Sequence, residues 1–459
     1  MEWQPHKYQL NAVKFIIERA CAGLFLEPGL GKTAITLQAF NILRQRKMIR
    51  KMLVIAPLRV AYSTWPAEAE KWDELRDLSV GVLHGPDKLA TLNDPTIDVH
   101  VINPEGLPWL IAQVKSLGRV WEMLVVDEST RFKAHDTQRF KLIRPLLNDF
   151  YRRVILTGSP SPNGLLDLWG QIFILDQGQA LGAYISHYRT NYFVPVTSGF
   201  GWKLQKGGAE KINAKLSPLV IRMAAKDYLE LPPLIGACGV GQEPARREID
   251  LPEAAAAQYK AMEDDFVTKL KDEKFLAPNA AAALNKCQQI ANGWIYNDKH
   301  EGQLIHESKL DAVEELLEEL SGTPVFLGYE FVHDKERLLK RFGAQTPWVG
   351  GGDSPTKFRT IEKDWNAGKI PLLIAQFQAV SHGLNLQGTK AAAVALSTPW
   401  DLEVYEQWVR RVWRQGQTDP VFVYHVCARK TIDEVKLRRL QSTDKAQQSF
   451  LSMLKSEYL

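Results

Sequence analysis

The sequence is poor in the features that mark disulfide-stapled, metal-clustered or membrane-spanning proteins. Its 459 residues include 4 cysteines, Cys21, Cys238, Cys287 and Cys427. They lie far apart and form no Cys-x-x-Cys pair, which argues against a zinc cluster and a disulfide framework. No apolar run approaches the roughly 18 residues of a membrane span, and the first residues lack the basic-then-apolar pattern of a signal peptide. We therefore expect a soluble protein of a reducing, intracellular compartment.

An excess of either charge is also missing, so charge alone does not identify a partner. Lys and Arg number 57 and Asp and Glu number 53, which gives a formal net charge of +4. Such a mildly basic chain can bind nucleic acid, but many enzymes have the same balance. Hydrophobic residues make up 45% and charged residues 24%, so wholesale disorder is excluded. At roughly 100–200 residues per domain, the length predicts more than one domain.

Two stretches of the chain alternate short apolar runs with amphipathic segments. The first stretch has predicted strands at 23–26, 52–56, 99–103, 123–126 and 153–157. The second has predicted strands at 324–328, 370–375, 391–396 and 421–426. Strand–helix alternation of this kind is typical of parallel sheets covered by helices on both faces. The predicted fold class is α/β, with units over residues 1–175 and 305–459 joined by a helical connector over 176–304.

The sharpest local motif lies between a predicted strand and a predicted helix. It reads Glu27-Pro28-Gly29-Leu30-Gly31-Lys32-Thr33. Small residues let the backbone N–H groups of such a loop approach and bind phosphate oxygens. The loop here begins with Pro28, which has no N–H, and offers the N–H groups of Gly29, Leu30 and Gly31. Lys32 would reach the β- and γ-phosphates of a nucleotide, and the Thr33 hydroxyl would bind Mg²⁺. Alone, the motif is compatible with an ordinary loop before a capped helix, since the strict pattern has Gly where this sequence has Leu26.

A second motif supports the phosphate-loop interpretation. The predicted strand 123–126 is followed directly by Asp127 and Glu128. Carboxyl ends of parallel strands form the edge at which such sheets bind ligands. Asp127 can hold Mg²⁺, and Glu128 can orient and deprotonate an attacking water. Acidic residues after a strand are common, but beside a phosphate loop they indicate nucleotide hydrolysis.

Further segments carry a resemblance to a known family. They are, in chain order, Pro5-His6-Lys7-Tyr8-Gln9, Ile55-Ala56-Pro57-Leu58 with the later Trp65, Asp127-Glu128-Ser129-Thr130-Arg131-Phe132-Lys133, Leu156-Thr157-Gly158-Ser159-Pro160, Ser381-His382-Gly383-Leu384-Asn385-Leu386, and Gln407-Trp408-Val409-Arg410-Arg411-Val412-Trp413-Arg414-Gln415-Gly416-Gln417. With the phosphate loop, they resemble the motifs of helicase superfamily two, and within it the SWI/SNF-like DNA-dependent ATPases. Thr130 stands where that family often has His, and Ser159 where it has Thr.

This resemblance implies a fold and a set of site residues. The implied fold is two RecA-like parallel-sheet lobes in tandem. Gln9 would contact adenine, and Gly383 and Asn385 would lie near the phosphates. Arg411 and Arg414 fall on the family's paired arginines, which stabilise negative charge on the transferred phosphate. The implied nucleic-acid contacts are Pro57, Leu58, Arg59, Ser381 and His382.

The paired arginines lead to a hypothesis about motion. Arg411 and Arg414 are three positions apart, so both can face one side of a helix. They would reach a nucleotide at Lys32 only if the two predicted units closed on a shared cleft. ATP would then favour closure, and hydrolysis would release it. Without the other motifs, the same cluster is compatible with a solvated basic helix face.

The sequence thus predicts a DNA-dependent ATPase that uses ATP and Mg²⁺ to move along DNA, as a duplex and without sequence preference. The alternatives are a strand-separating DNA or RNA helicase, the motor subunit of a restriction system, or a nucleotide-gated DNA-binding scaffold with poor hydrolysis. No membrane partner is expected, and a protein partner is not identified. Chromatin remodellers carry long appended domains that we do not find here. We therefore expect a phage or bacterial protein of replication, recombination or repair, in the bacterial or host-cell cytoplasm.

Overall fold

The chain divides into two compact units, Met1–Glu230 and Leu231–Leu459. The computed structural model describes residues 1–117, 120–161, 164–195, 202–229, 231–239, 242–270, 277–296, 302–380, 384–386, 390–414, 417 and 419–441. Among these residues, no helix combines the length and apolar character needed to cross a membrane.

In its described residues, the first unit contains nine strands and nine helices. The strands are β1 Cys21–Leu26, β2 Met52–Ile55, β3 Val80–Val82, β4 Val99–Ile102, β5 Met123–Asp127, β6 Arg152–Thr157, β7 Phe193–Pro195, β8 Trp202–Leu204 and β9 Val220–Met223. The helices are α1 Lys7–Glu18, α2 Lys32–Gln45, α3 Leu58–Lys71, α4 Lys88–Asn93, α5 Leu107–Leu117, α6 Gln138–Ile143, α7 Leu168–Asp176, α8 Ile185–Tyr192 and α9 Gly208–Leu216. Short 3-10 turns, including Ser129–Phe132, join several of them.

Seven of these strands form one parallel sheet in the order β3-β4-β2-β5-β6-β1-β9. Every residue of β2 and β5 is buried, as expected for strands covered by helices on both faces. Strand β6 lies between β5 and β1. The carboxyl ends of β1, β6 and β5 therefore meet at one edge, which places the three segments that follow them side by side.

The sheet includes a strand from the predicted connector. Strand β9 pairs with β1 in parallel, with Gly23 opposite Val220. A Cβ on Gly23 would lie 2.6 Å from Cγ1 of Val220, so the absence of a side chain allows this close approach. The first unit consequently extends to residue 230, whereas the sequence-based boundary is 175. Four residues of β9 are too short a run to distinguish a strand from a loop by periodicity.

The described part of the second unit also contains parallel strands and helices. The strands are β10 Leu234–Ile235, β11 Ala245–Ile249, β12 Trp294–Tyr296, β13 Gly302–Leu304, β14 Val325–Tyr329, β15 Trp348–Val349, β16 Leu372–Gln376, β17 Ala392–Ala395 and β18 Val421–Ala428. The helices are α10 Glu253–Leu270, α11 Ala277–Asn292, α12 Ser308–Glu319, α13 Val332–Phe342, α14 Pro355–Asn366, α15 Phe377–Val380, α16 Leu402–Val409 and α17 Ile432–Gln441.

The second sheet runs β10-β18-β17-β14-β16-β15, and β11 also pairs with β18. All of these pairings are parallel. Alternate residues of β14 enter different cores, since Phe326 packs in one cluster and Val325 and Leu327 in another. Because side chains alternate across a strand, the sheet is covered on both faces.

The predicted α/β class with two parallel-sheet units is confirmed. All nine predicted strands are present, and their bounds differ from the predicted ones by at most two residues. The connector is helical where α10 and α11 lie, but its described residues also supply β9 to the first sheet and β10 and β11 to the second. These additional strands are short and pair with partners far away in the chain, so no local pattern indicates them.

A buried hydrogen-bond chain holds β10 and β11 against β18. The Tyr405 hydroxyl accepts from the Cys238 N–H at 2.7 Å and lies 3.0 Å from Nε2 of His425. Nδ1 of His425 lies 3.2 Å from the Ala245 carbonyl. Since a carbonyl can only accept, Nδ1 carries the proton and Nε2 accepts from Tyr405. Burial lowers the pKa of His425 to about 4, which keeps the ring neutral near pH 7.

Replacing Tyr405 by Phe should destabilise the second unit. The change leaves the Cys238 N–H and Nε2 of His425 buried without this partner, which costs about 1–3 kcal/mol. Urea unfolding of the purified chain would measure the loss. Tyr424→Phe, also on β18, is the control because no hydrogen bond joins its hydroxyl to another described residue. Equal losses in the two variants would contradict the assigned role of the Tyr405 hydroxyl.

Candidate active site

The turn between β1 and α2 has the backbone shape of a phosphate loop. Gly29 and Gly31 have φ angles of 93° and 80°, in the left-handed region that glycine adopts at little cost. Gly31 is the N-cap residue of α2, so the first N–H groups of this helix are available to an anion. Pro28 and Leu30 complete the turn, and Leu30 is fully buried.

Two side chains of α2 lie where the sequence predicts phosphate and metal contacts. Nζ of Lys32 donates to the Leu26 carbonyl at 2.8 Å, so the ammonium group folds back over the loop. Thr33, in the first turn, is partly exposed. A nucleotide phosphate at this helix start would meet both groups.

Gln9 also reaches this loop, as the resemblance implies. Its Nε2 atom lies 3.4 Å from the Leu30 carbonyl, and its Oε1 atom accepts from the His6 N–H at 2.9 Å. A Cβ on Gly31 would lie 2.7 Å from Nε2 of Gln9. The structure therefore brings the predicted adenine contact and the phosphate loop together.

Asp127 ends β5 at the same sheet edge and is only 7% exposed. Oδ2 accepts from Nε1 of Trp65 at 3.1 Å, and Oδ1 accepts from the Glu128 N–H at 3.0 Å. Burial, and then the charge of Glu128, raises the pKa of Asp127, while the positive charge of Lys32 opposes that rise. The charge of Lys32 thus favours the ionised form of a second predicted site residue.

Glu128 follows with an unusual backbone conformation. Its φ and ψ angles are 51° and 58°, a left-handed conformation that costs a residue with a side chain free energy. The Ser129–Phe132 turn begins immediately after it. This abrupt change of direction at the end of a strand keeps Glu128 beside the buried Asp127, in a half-buried position.

Two functional candidates have no clear individual signature in the sequence. Trp65 lies in a segment that resembles a family motif, and its side chain is fully buried against Asp127. The sequence signal for Gln171 is an amide in the middle of helix α7, among mostly apolar residues.

Gln171 joins the segment after Asp127 to the segment after β6. Its Oε1 atom accepts from the Ser129 hydroxyl at 2.8 Å, and its Nε2 atom donates to the Pro160 carbonyl at 2.6 Å. The neighbouring Gly170 permits this close packing, since a Cβ there would lie 2.4 Å from the Phe132 carbonyl oxygen. The Pro160 segment is thereby fixed relative to the acidic motif.

The same segment also touches the phosphate loop. A Cβ on Gly158 would lie 2.9 Å from Cδ of Pro28. The segments that follow β1, β5 and β6 thus pack together at one edge of the sheet. They are neighbours because β6 lies between β1 and β5 in the sheet.

The predicted DNA contacts at the start of α3 differ in exposure. Pro57 is buried, Leu58 is 37% exposed and Arg59 is partly exposed. Two others, Ser381 and His382, and the predicted phosphate neighbour Gly383 lie outside the described residues.

In the second unit, Arg411 and Arg414 converge on one carbonyl. Nη1 of Arg411 and Nη1 of Arg414 donate to the Leu384 carbonyl at 3.0 and 3.3 Å. The next residue, Asn385, donates its backbone N–H to Glu362 at 3.2 Å. Burial raises the pKa of Glu362, and the Asn385 N–H and the charges of both arginines oppose that rise. The two late motifs are therefore adjacent within this unit.

The expectation that both arginines lie on a helix is wrong. Helix α16 ends at Val409, and Arg411 and Arg414 follow it in a turn. Hydrogen bonds from Arg411 N to the Trp408 carbonyl and from Val412 N to the Val409 carbonyl tighten the chain there. Three-residue spacing brings side chains together in such a turn as well as on a helix.

Comparison with known proteins identifies the family. Residues 8–237 match the model of the SNF2-related domain. Putative protein p41 of Acyrthosiphon pisum secondary endosymbiont phage 1 is 36% identical, with 98% of each chain covered. The chain belongs to the SNF2-related family. It is thus an SWI/SNF-like, DNA-dependent ATPase of helicase superfamily two.

Two further comparisons give lower sequence identity, and the chain spans about half the length of the first of these proteins. The putative ATP-dependent helicase/translocase YwqA of Bacillus subtilis is 24% identical over 93% of this chain, which spans 46% of that protein. The Sulfolobus solfataricus SWI2/SNF2 ATPase core in complex with dsDNA is 21% identical, with a TM-score of 0.46 and coverage of 99% of this chain and 97% of that one.

The oxygen ligands at the sheet edge formed by the ends of β1, β6 and β5 suit a magnesium ion that also binds phosphate. Mg²⁺ prefers oxygen ligands and usually binds one or two carboxylates together with substrate phosphates. The Thr33 hydroxyl and the Asp127 carboxylate are ligands of that kind. Among the described residues, no group of three or more His, Cys, Asp and Glu side chains forms a metal cage. A hydroxyl and a carboxylate suit a metal whose other ligands are nucleotide phosphates and water.

Replacing Gln171 by Leu should slow ATP hydrolysis and reduce stability. The Ser129 hydroxyl and the Pro160 carbonyl would both lose a buried partner, at a cost of about 1–3 kcal/mol for each. Steady-state ATPase assays should show a lower kcat with a smaller change in KM, and thermal unfolding should show a lower Tm. Ser129→Ala removes a single hydrogen bond and should have a smaller effect. An unchanged kcat in Gln171→Leu would exclude the link between the two segments as a requirement for catalysis.

Proposed function

We propose that this SNF2-like ATPase uses ATP hydrolysis to translocate along duplex DNA, holding the phosphate backbone without reading bases. The observation that carries the proposal is the edge of the first sheet, where the phosphate loop with Lys32 follows β1 and the buried Asp127 ends β5, with β6 between the two strands. A motor that grips phosphates rather than bases acts on any sequence. The Bacillus relative, named a putative helicase/translocase, supports movement rather than nucleotide binding alone.

In the proposed reaction, a water attacks the γ-phosphorus of ATP, and the bond from that phosphorus to the oxygen retained by ADP breaks. Glu128 accepts a proton from the attacking water. The Lys32 ammonium and the N–H groups at the start of α2 neutralise charge on the phosphate oxygens. Mg²⁺, with Thr33 and Asp127 as protein ligands, would supply further positive charge there.

We further propose that Arg411 and Arg414 stabilise negative charge on the transferred phosphate, and that Gln9 and Asn385 contribute to nucleotide binding. For DNA, we propose contacts from the start of α3, at Leu58 and Arg59. The same family pattern assigns Ser381 and His382 to DNA contact and Gly383 to the nucleotide phosphates. These roles come from the family pattern, residue by residue.

The proposed setting is DNA replication, recombination or repair in the cytoplasm of a bacterium or a phage-infected cell. The phage relative that matches along 98% of its length supports this setting. A motor without a defined sequence preference needs a partner or a DNA structure to direct it. That directing component is not identified.

Lys32→Ala and Glu128→Gln should abolish DNA-stimulated hydrolysis. Loss of a general base costs about 10²–10⁴ in rate, and loss of the loop lysine removes charge stabilisation of similar importance. Phosphate release would be measured with duplex DNA, single strands, forks and RNA. Lys211→Ala, at an exposed position of α9, is the control and should behave like the unmodified protein.

Translocation itself requires a separate measurement. ATP-dependent displacement of a third strand from a triplex, without separation of the underlying duplex, would support duplex tracking. Separation of forked strands would favour the helicase alternative. Hydrolysis that no nucleic acid stimulates would refute the proposed motor function.

Arg411→Ala and Arg414→Ala should lower kcat far more than they change the KM for ATP. Arginines that act on a transferred phosphoryl group contribute about 10³–10⁵ in rate. Arg410→Ala is the matched control, because Arg410 precedes them and stacks 5.2 Å from the Trp413 ring. If all three variants lost equal activity together with Tm, the arginines would have a structural role instead.

A further inference from the structure

Trp65 makes a hydrogen bond that packing alone does not explain. Its side chain is 0% exposed, yet its indole N–H points at a carboxylate, Oδ2 of Asp127, at 3.1 Å. An indole N–H can only donate, so burial requires an acceptor for it. Here the acceptor is the proposed metal ligand itself.

The two donors on Asp127 fix the orientation of its carboxylate. Trp65 binds Oδ2, and the Glu128 N–H binds Oδ1 at 3.0 Å. The torsion that turns an aspartate carboxylate has broad minima, so donors on both oxygens are needed to define its plane. Each oxygen can accept more than one hydrogen bond or metal bond, which leaves capacity on both for a metal or its waters.

We propose that Trp65 is a positioning residue that aims the Asp127 carboxylate at the Mg²⁺ that accompanies the nucleotide. This inference rests on the proposed function, in which Asp127 is a magnesium ligand. The Glu128 N–H belongs to the backbone and holds one oxygen in any variant. The indole is the side chain that determines how the second oxygen is presented.

The test measures how much Mg²⁺ strengthens nucleotide binding, independently of turnover. A fluorescent ATP analogue would be titrated against the protein in Mg²⁺ and in EDTA. In Trp65→Phe, the affinity in Mg²⁺ should fall about tenfold, the effect of losing a hydrogen bond to a charged group. The affinity in EDTA should stay close to that of the unmodified protein, because the phosphate loop is unaltered.

Trp121→Phe provides a matched control in the same unit. Trp121 is 3% exposed, and its indole N–H donates to Nδ1 of His100 at 3.0 Å. It precedes β5, whereas Asp127 ends that strand. This variant should lose stability comparable to Trp65→Phe while its Mg²⁺ effect on nucleotide affinity stays unchanged.

Trp65→Gln separates hydrogen bonding from packing. Glutamine fills less of the site than phenylalanine but restores an N–H donor. We expect Trp65→Gln to retain more of the Mg²⁺ effect than Trp65→Phe although it is less stable. It also provides the test if circular dichroism shows that Trp65→Phe does not fold.

The outcomes distinguish this inference from the proposed function. An unchanged Mg²⁺ effect in Trp65→Phe, or a smaller effect in Trp65→Gln than in Trp65→Phe, would overturn the role of Trp65. If the unmodified protein showed neither Mg²⁺-dependent nucleotide affinity nor DNA-stimulated hydrolysis, the proposed function itself would fail.

Discussion

An ionised carboxylate that is almost completely buried must be stabilised by hydrogen-bond donors and by positive charge. Asp127, at the end of β5, is such a carboxylate, so the residues around it must supply both. Its burial and the adjacent Glu128 favour the protonated form, whereas Lys32, Trp65 and the Glu128 N–H favour the charged form. These stabilising groups come from α2, from α3 and from the backbone after β5. The phosphate loop, α3 and the acidic motif therefore act together to keep Asp127 ionised.

The second unit meets a similar requirement in a different way. Lys309 is 0% exposed and forms an ion pair with Asp433 at 2.7 Å, and it also donates to Oδ1 of Asn292 at 2.9 Å. Burial of such a pair is tolerated only when both charges are matched and hydrogen-bonded. Asn292 belongs to α11, a helix of the predicted connector. This network joins α11 to α12 and α17, and it explains why the connector's last helix packs as part of the second unit.

The sequence was sufficient for the features that depend on local chemistry. Glycines with positive φ at positions 29 and 31, a strand that ends in Asp127 and Glu128, and buried runs such as β5 all have local signatures. Contacts between distant side chains have none. Trp65 and Asp127 are hydrogen-bonded because α3 packs on the sheet, and Gln171 reaches Ser129 because Gly170 lets α7 approach. Strands β9 and β11 also lack a local signature, since the strands with which they pair lie far along the chain.

The helix that holds Trp65 gives the nucleotide edge a physical connection to the proposed DNA contacts. Helix α3 begins at Leu58, is 14 residues long and contains Trp65 about two turns after its start. Pro66 lacks an N–H and interrupts the backbone hydrogen bonds of this helix just after Trp65. The residues from Leu58 to Trp65 precede that interruption, so a displacement of the first turn moves the indole as well. A change of a few tenths of an ångström at the 3.1 Å contact with Asp127 alters a hydrogen bond to a charged group, which is among the stronger kinds. If DNA binds at Leu58 and Arg59 as proposed, one helix connects that contact to the carboxylate of the proposed metal ligand.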